Sequence, residues 1–151
     1  MIESLLCDSL LIWLKAKQPT LNGISPVMLV YTDTGTIPPE AVVVQATGST
    51  SDTAAKTVTV QVSLTLPARD YTGGQHRKAA SELRLALILD SPRYEPGKPV
   101  LFARPDLMDY LKSPEVSPLF GFDLTDPRDS YMEAEGRLIY MLEFDAICAL
   151  A

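Results

Sequence analysis

Ten consecutive residues, Thr57-Val-Thr-Val-Gln-Val-Ser-Leu-Thr-Leu66, alternate polar and apolar without an error. Strand side chains point to opposite faces in turn, so this period specifies a sheet with one greasy face and one polar face. Val58, Val60, Val62, Leu64 and Leu66 form the set expected inside, and Thr57, Thr59, Gln61, Ser63 and Thr65 the wet set. None of the wet set is charged, which suits a surface meeting water or another subunit. The strand itself carries no recognisable chemistry.

The rest of the chain supplies partners for that strand. Ile2, Leu5, Leu6, Ser9 and Trp13 recur at helical spacing, predicting a helix over Ile2 to Lys17 that Pro19 ends. Leu11 and Ile12 make it apolar nearly all round, so one side enters the core and another is free to meet a partner. Residues 19–40 read as a loop with a short strand from Val27 to Tyr31. A strand over Ala41 to Thr47, turning back through Gly48-Ser-Thr-Ser-Asp52, makes a hairpin with the alternating segment. Thr72-Gly-Gly-Gln75 has the pattern of a capping box, opening a second helix that runs to about Asp90 and stops at Ser91-Pro92. Ala79, Ala80, Leu83, Leu87 and Ile88 are its core stripe.

Twelve prolines are many for 151 residues, and six of them crowd residues 92–118, predicting an irregular insertion with a short helix near Asp106 to Leu111. Two closing strands follow, Leu119–Thr125 and Tyr131–Leu150. In the last, Leu138, Tyr140, Leu142, Phe144, Ala146, Cys148 and Leu150 share one face, while Ile139, Met141 and Ile147 stand among charges on the other. A strand with two partly apolar faces should project past its sheet or be covered by a neighbour. The expected fold is one α+β domain over 1–151: a mainly antiparallel four- to five-stranded sheet, two main helices on one face, and the proline-rich insertion.

Chemistry is harder to find. His76 is the only histidine, set beside Arg77 and Lys78 with no adjacent carboxylate to orient it, and reads as exposed rather than catalytic. Gly73-Gly74 lacks the further glycine and Lys-Ser/Thr of a phosphate loop, and no dinucleotide fingerprint occurs. Asp123, Asp126, Asp129, Glu133 and Glu135 form an acidic segment between the closing strands. It lacks the alternating ligands and central glycine of an EF-hand, and a glycosidase would want more aromatics than 7%. It reads as a solvated acidic hairpin, or else as an interface salt-bridge element. Trp13 and Tyr131 read as core or interface anchors. No catalytic residue, metal site, cofactor or small-molecule substrate is expected.

Net charge is −6, and residues 101–151 supply all of it, ten acids facing Arg104, Lys112, Arg128 and Arg137. That argues against a broad nucleic-acid face. Arg69, Arg77, Lys78 and Arg84 make the only locally basic stretch, explained as well by a solvated helix face as by a binding patch. Cys7 and Cys148 read as small buried hydrophobes in a reducing compartment. Leu5-Leu6-Cys7 resembles a lipoprotein processing site, but no cationic leader or adequate apolar stretch precedes it and Glu3 sits where positive charge belongs. No apolar run reaches the roughly 18 residues of a spanning helix, so the expectation is a product with no membrane partner and no cleaved leader.

In this order, a greasy first helix, the hairpin over 41–66, the Gly-led helix 72–90, a proline-broken insertion and the strand Gly136-Arg-Leu-Ile-Tyr-Met-Leu-Glu-Phe-Asp145, the chain resembles the tail-terminator or tail-completion proteins of long-tailed bacteriophages. The similarity covers nearly the whole length. It implies a non-enzymatic virion protein of the tail or neck, made in the bacterial host cytoplasm. It also implies a homo-oligomeric ring, usually hexameric, that caps the tail tube and meets head-connector proteins. Another small adaptor of a phage tail or contractile injection particle, a baseplate or tube-initiating piece, is the alternative. Leu11, Ile12, Ile139, Met141 and Ile147 are the candidate apolar subunit contacts, with Asp123, Asp126, Arg77 and Lys78 as candidate charged ones.

Overall fold

A computed structural model describes residues 2–20, 29–31, 40–51, 55–98, 100–113 and 119–150. Chain order is α1 (Ile2–Lys17), β1 (Leu29–Tyr31), β2 (Ala41–Ser51), β3 (Lys56–Pro67), α2 (Gly73–Leu85), β4 (Ile88–Arg93), β5 (Leu101–Ala103), α3 (Pro105–Lys112), β6 (Leu119–Ala134) and β7 (Arg137–Leu150). The main sheet has five strands in the order β1-β2-β3-β7-β6, antiparallel except for the β1–β2 pair, and β4–β5 form a small second sheet. The architecture is the expected α+β arrangement. Of the short strand expected from Val27, the part before Leu29 lies outside the described residues.

The alternation in β3 explains the core. Val58, Val60, Val62, Leu64 and Leu66 are fully buried on one face, with Tyr140, Leu142, Phe144, Ala146 and Cys148 of β7 beside them. Leu6, Leu10, Trp13 and Leu14 of α1, Ala79, Ala80 and Leu83 of α2, and Leu107 and Leu111 of α3 join the same cluster. All three helices therefore cover one side of the sheet. Trp13 locks the layer, its indole N–H donating to the Ala86 carbonyl at 2.9 Å while its ring lies 5.2 Å from that of Tyr110.

Several expected boundaries move. Gly48 to Ser51 do not turn; β2 continues through them, with an irregular register between Ala46 and Gly48. The hydroxyl residues extend the strand because β3 offers them a ladder partner as far as Lys56. Thr72 caps α2 as its box predicts, but the helix ends at Leu85 rather than near Asp90. Leu87 and Ile88 are buried all the same, because the chain leaves the helix directly into β4, and Ser91-Pro92 sit in that edge strand rather than in a stop. The acidic segment is not a loop between strands. It is most of β6, and the turn falls at Glu135-Gly136, so Tyr131–Ala134 belong to β6 and not to the last strand.

β7 does not project. It lies between β3 and β6, which cover its two edges. In the expected wet set, Thr57, Thr59 and Gln61 are half-buried and Ser63 and Thr65 are buried. The burial is local to one end of the strand: Ser63 lies between Val43 and Met141, Thr65 between Ala41 and Ile139, and Ala41 and Val43 are themselves fully buried. Cross-strand neighbours about 5 Å away shade a small side chain from both sides.

Candidate assembly surface

The helix-free face of the sheet is built in rows by its register. From one end to the other, β3, β7 and β6 contribute Thr65, Ile139 and Met132; then Ser63, Met141 and Ser130; then Gln61, Glu143 and Arg128; then Thr59, Asp145 and Thr125; then Thr57, Ile147 and Asp123. The result is a banded face, apolar at the Ile139–Met132 end, charged across the middle, and mixed at the far end, where Ile147 stands between Thr57 and Asp123. Met132 and Ile147 remain 49% and 39% exposed, while Ile139 and Met141 are half-buried.

The charged band holds itself in place. Arg128 donates to Glu143 at 2.9 Å and to Asp126 at 3.2 Å, and lies 3.7 Å from Asp145. Thr59 donates to Asp145 at 3.0 Å, and Gln45 to Gln61 at 2.9 Å. Asp126 adopts φ 52 at the register shift between Thr125 and Arg128. An Asp tolerates that left-handed conformation, and Pro127 beside it suits an irregular strand position where no N–H is required.

On the helix side of β6 the contacts run to α2. The Tyr140 hydroxyl donates to Asp129 at 2.8 Å, and Arg84 reaches the same carboxylate at 3.4 Å. Burial, with the Asp129 bond second, pushes the Tyr140 phenol well above its usual range. Tyr131 stacks tilted on Tyr140 with centroids 4.9 Å apart, meets His76 edge-on at 6.0 Å, and has Arg77 5.7 Å from its centroid. Even so it is 46% exposed.

His76 corrects the sequence reading: it is buried, 3% exposed, with Nε2 3.2 Å from the Leu64 carbonyl. Its spacing to Ala79, Ala80 and Leu83 is that of one helical stripe, a signal its polar character masked.

The candidate interface residues do not form one patch. Ile12 is 56% exposed on α1, with Leu11 half-buried and packed on the core. Arg77 and Lys78 are exposed on α2, beside β6. Ile139, Met141, Ile147 and Asp123 share the sheet face, and Asp126 marks the irregular point at its edge. Sequence reasoning missed Met132 because it assigned that residue to the last strand, where its neighbours would have differed.

A cleft of about 450 Å³ opens where β5, α3 and β6 meet, lined by Val100, Leu101 and Met108 with Arg93, Lys112 and Asp123 at its walls. Among the described residues that line it, none pairs a nucleophile with a base. Among the described residues no group of three or more His, Cys, Asp or Glu is placed to hold a metal ion. Cys7 and Cys148 are buried, and burial pushes both thiols up to about 12. No helix among the described residues is long and apolar enough to cross a membrane.

No family model and no curated protein matches the chain. Among solved structures, one chain of the "Virion of native gene transfer agent (GTA) particle" aligns over 90% of this chain and 94% of its own, at 15% identity and a TM-score of 0.40. A likeness of that degree defines neither a shared fold nor a shared role.

Proposed function

We propose that the protein is a non-enzymatic structural component of a virion, assembling in copies as a ring that caps a tail tube and joins the tail to the head connector. One observation carries this reading: the sheet's helix-free face and its β6 edge keep Met132, Tyr131 and Ile147 between 39% and 49% exposed. Scattered singly, such residues are ordinary on a monomer; in a ring each would be buried against a neighbouring copy. The self-paired charged band beside the apolar Ile139–Met132 end fits the polar share of a protein interface. The order of elements, which resembles that of tail-terminator proteins, supplies the ring, its usual six-fold count and its place in tail or neck. Both the purified protein and its mixture with assembled tail tubes test the reading. The expected result is a closed oligomer by sedimentation, or density capping one tube end in electron micrographs. A monomer that also leaves tube ends bare overturns it.

A further inference from the structure

Among the described residues the main sheet has two open margins. On one side, β6 is the terminal strand. On the other, among the described residues, β1 pairs with β2 from Val42 to Val44, and Thr47, Gly48, Ser49 and Thr50 beyond it are exposed. An open margin presents unpaired backbone donors and acceptors, a template for another strand unless it is guarded.

The first half of β6 meets α3 and β5, and the Asp126-Pro127 irregularity interrupts the strand at its middle. Beyond that point Arg128–Ala134 has no proline and no further register shift, and its charges Arg128, Asp129 and Glu133 are what guards it. Tyr131 and Met132 are adjacent there, on opposite faces of the sheet, and each is nearly half exposed. A partner docking on either face would cover one of them. A strand laid along the edge covers both.

Charge selects the strand. β6 carries Asp123, Asp126, Asp129 and Glu133 against Arg128 alone. Two copies of β6 paired about Tyr131 would set Asp129 opposite Glu133, and like charges directly opposite are unfavourable. The open part of β2, Gln45-Ala-Thr-Gly-Ser-Thr-Ser51, has no charge at all and matches Arg128–Ala134 in length.

We infer that the Arg128–Ala134 edge of one copy pairs with the Gln45–Ser51 edge of the next, joining their sheets head to tail. Such a contact uses different surfaces on the two copies, so it repeats, and closes into a ring where the rotation allows. The inference rests on the ring reading above and names the lateral contact within it.

The test uses two full-length variants, Met132→Asp for the β6 edge and Thr47→Asp with Thr50→Asp for the β2 edge. Both are at exposed positions, and circular dichroism melts confirm that each folds. Each alone should lose the oligomer at concentrations where the wild type assembles. Mixed, they should form one-to-one dimers and nothing larger, because one intact edge remains on each partner. Thr47→Lys with Thr50→Lys should instead tighten assembly against the acidic strand. If both Asp variants assemble like the wild type, the edge pairing falls while the ring reading stands. A wild type that stays monomeric yet caps tail tubes has the same meaning. A wild type that does neither removes both.

Discussion

His76 shows how a polar residue can serve the core rather than the solvent. Its imidazole occupies the position one turn before Ala79 and Ala80 and ties α2 to the Leu64 carbonyl of β3. His76→Phe keeps the volume and removes the bond, so it should cost about 1 kcal/mol. His76→Ala leaves a cavity as well and should cost about 2–4 kcal/mol. Urea denaturation with unchanged slope checks both, and a His76→Phe variant as stable as the wild type would deny the bond a role. Glu3 offers a second residue-scale prediction. The Lys56 ammonium bonded to it, the largest influence, lowers its carboxyl from 4.5 to about 2. A depressed folded value means that the contribution is present above the unfolded pKa of 4.5 and is lost as pH falls through about 2. The pair is partly exposed, so the contribution is at most about 1 kcal/mol after screening. Wild type should lose more stability than Glu3→Gln between pH 4.5 and 2 by thermal melts, and parallel curves would contradict the assignment. This pair joins α1 to β3 across a distance in sequence that no local pattern could reveal. The Thr72–Gln75 box was legible because its partners are three residues apart.

At the scale of elements, alternation and helical spacing located β3, α1 and α3, because each pattern is complete within its own segment. The β6–β7 hairpin was misread for an instructive reason. Acidic residues read as solvent loop, yet an edge strand bordering water tolerates charge along its whole length, as β6 does. The turn signal was present but weak: Glu135 and Gly136 both have positive φ, 52° and 74°, the pair required by a two-residue type I′ connection. Glycine meets that demand freely and glutamate does not. Gly136→Ala should therefore destabilise by about 1 kcal/mol, through backbone strain alone, since an added Cβ would meet nothing within 4 Å. Glu135→Asn should stabilise by up to about 1 kcal/mol, because Asn-Gly is the preferred pair for this turn. Thermal melts of the two variants should move in opposite directions. If they move together, the turn is not the device setting this register.

For the whole molecule, the decisive fact is that one core serves three helices and the large sheet, with α1 from the start of the chain and β7 from its end meeting inside it. Cys7 and Cys148 lie in the same buried cluster, as do Trp13 and the α2–β4 corner. No helix can leave without opening that core to water. Trp13 is the single tryptophan and sits where α1, α3 and Ala86 join, so its emission reports that joint specifically. Far-ultraviolet circular dichroism, by contrast, averages over the sheet and all the helices. A single cooperative unit requires the two signals to follow one transition in denaturant. Their midpoints and slopes should coincide for the dissociated subunit, and should shift to higher denaturant together as protein concentration rises, because assembly stabilises only the folded state. Trp13 emission changing first would mean that α1 detaches from an otherwise folded sheet, and the first helix would then be a separable arm. Coincident curves that ignore protein concentration would place the exposed residues of the sheet face outside any contact between copies.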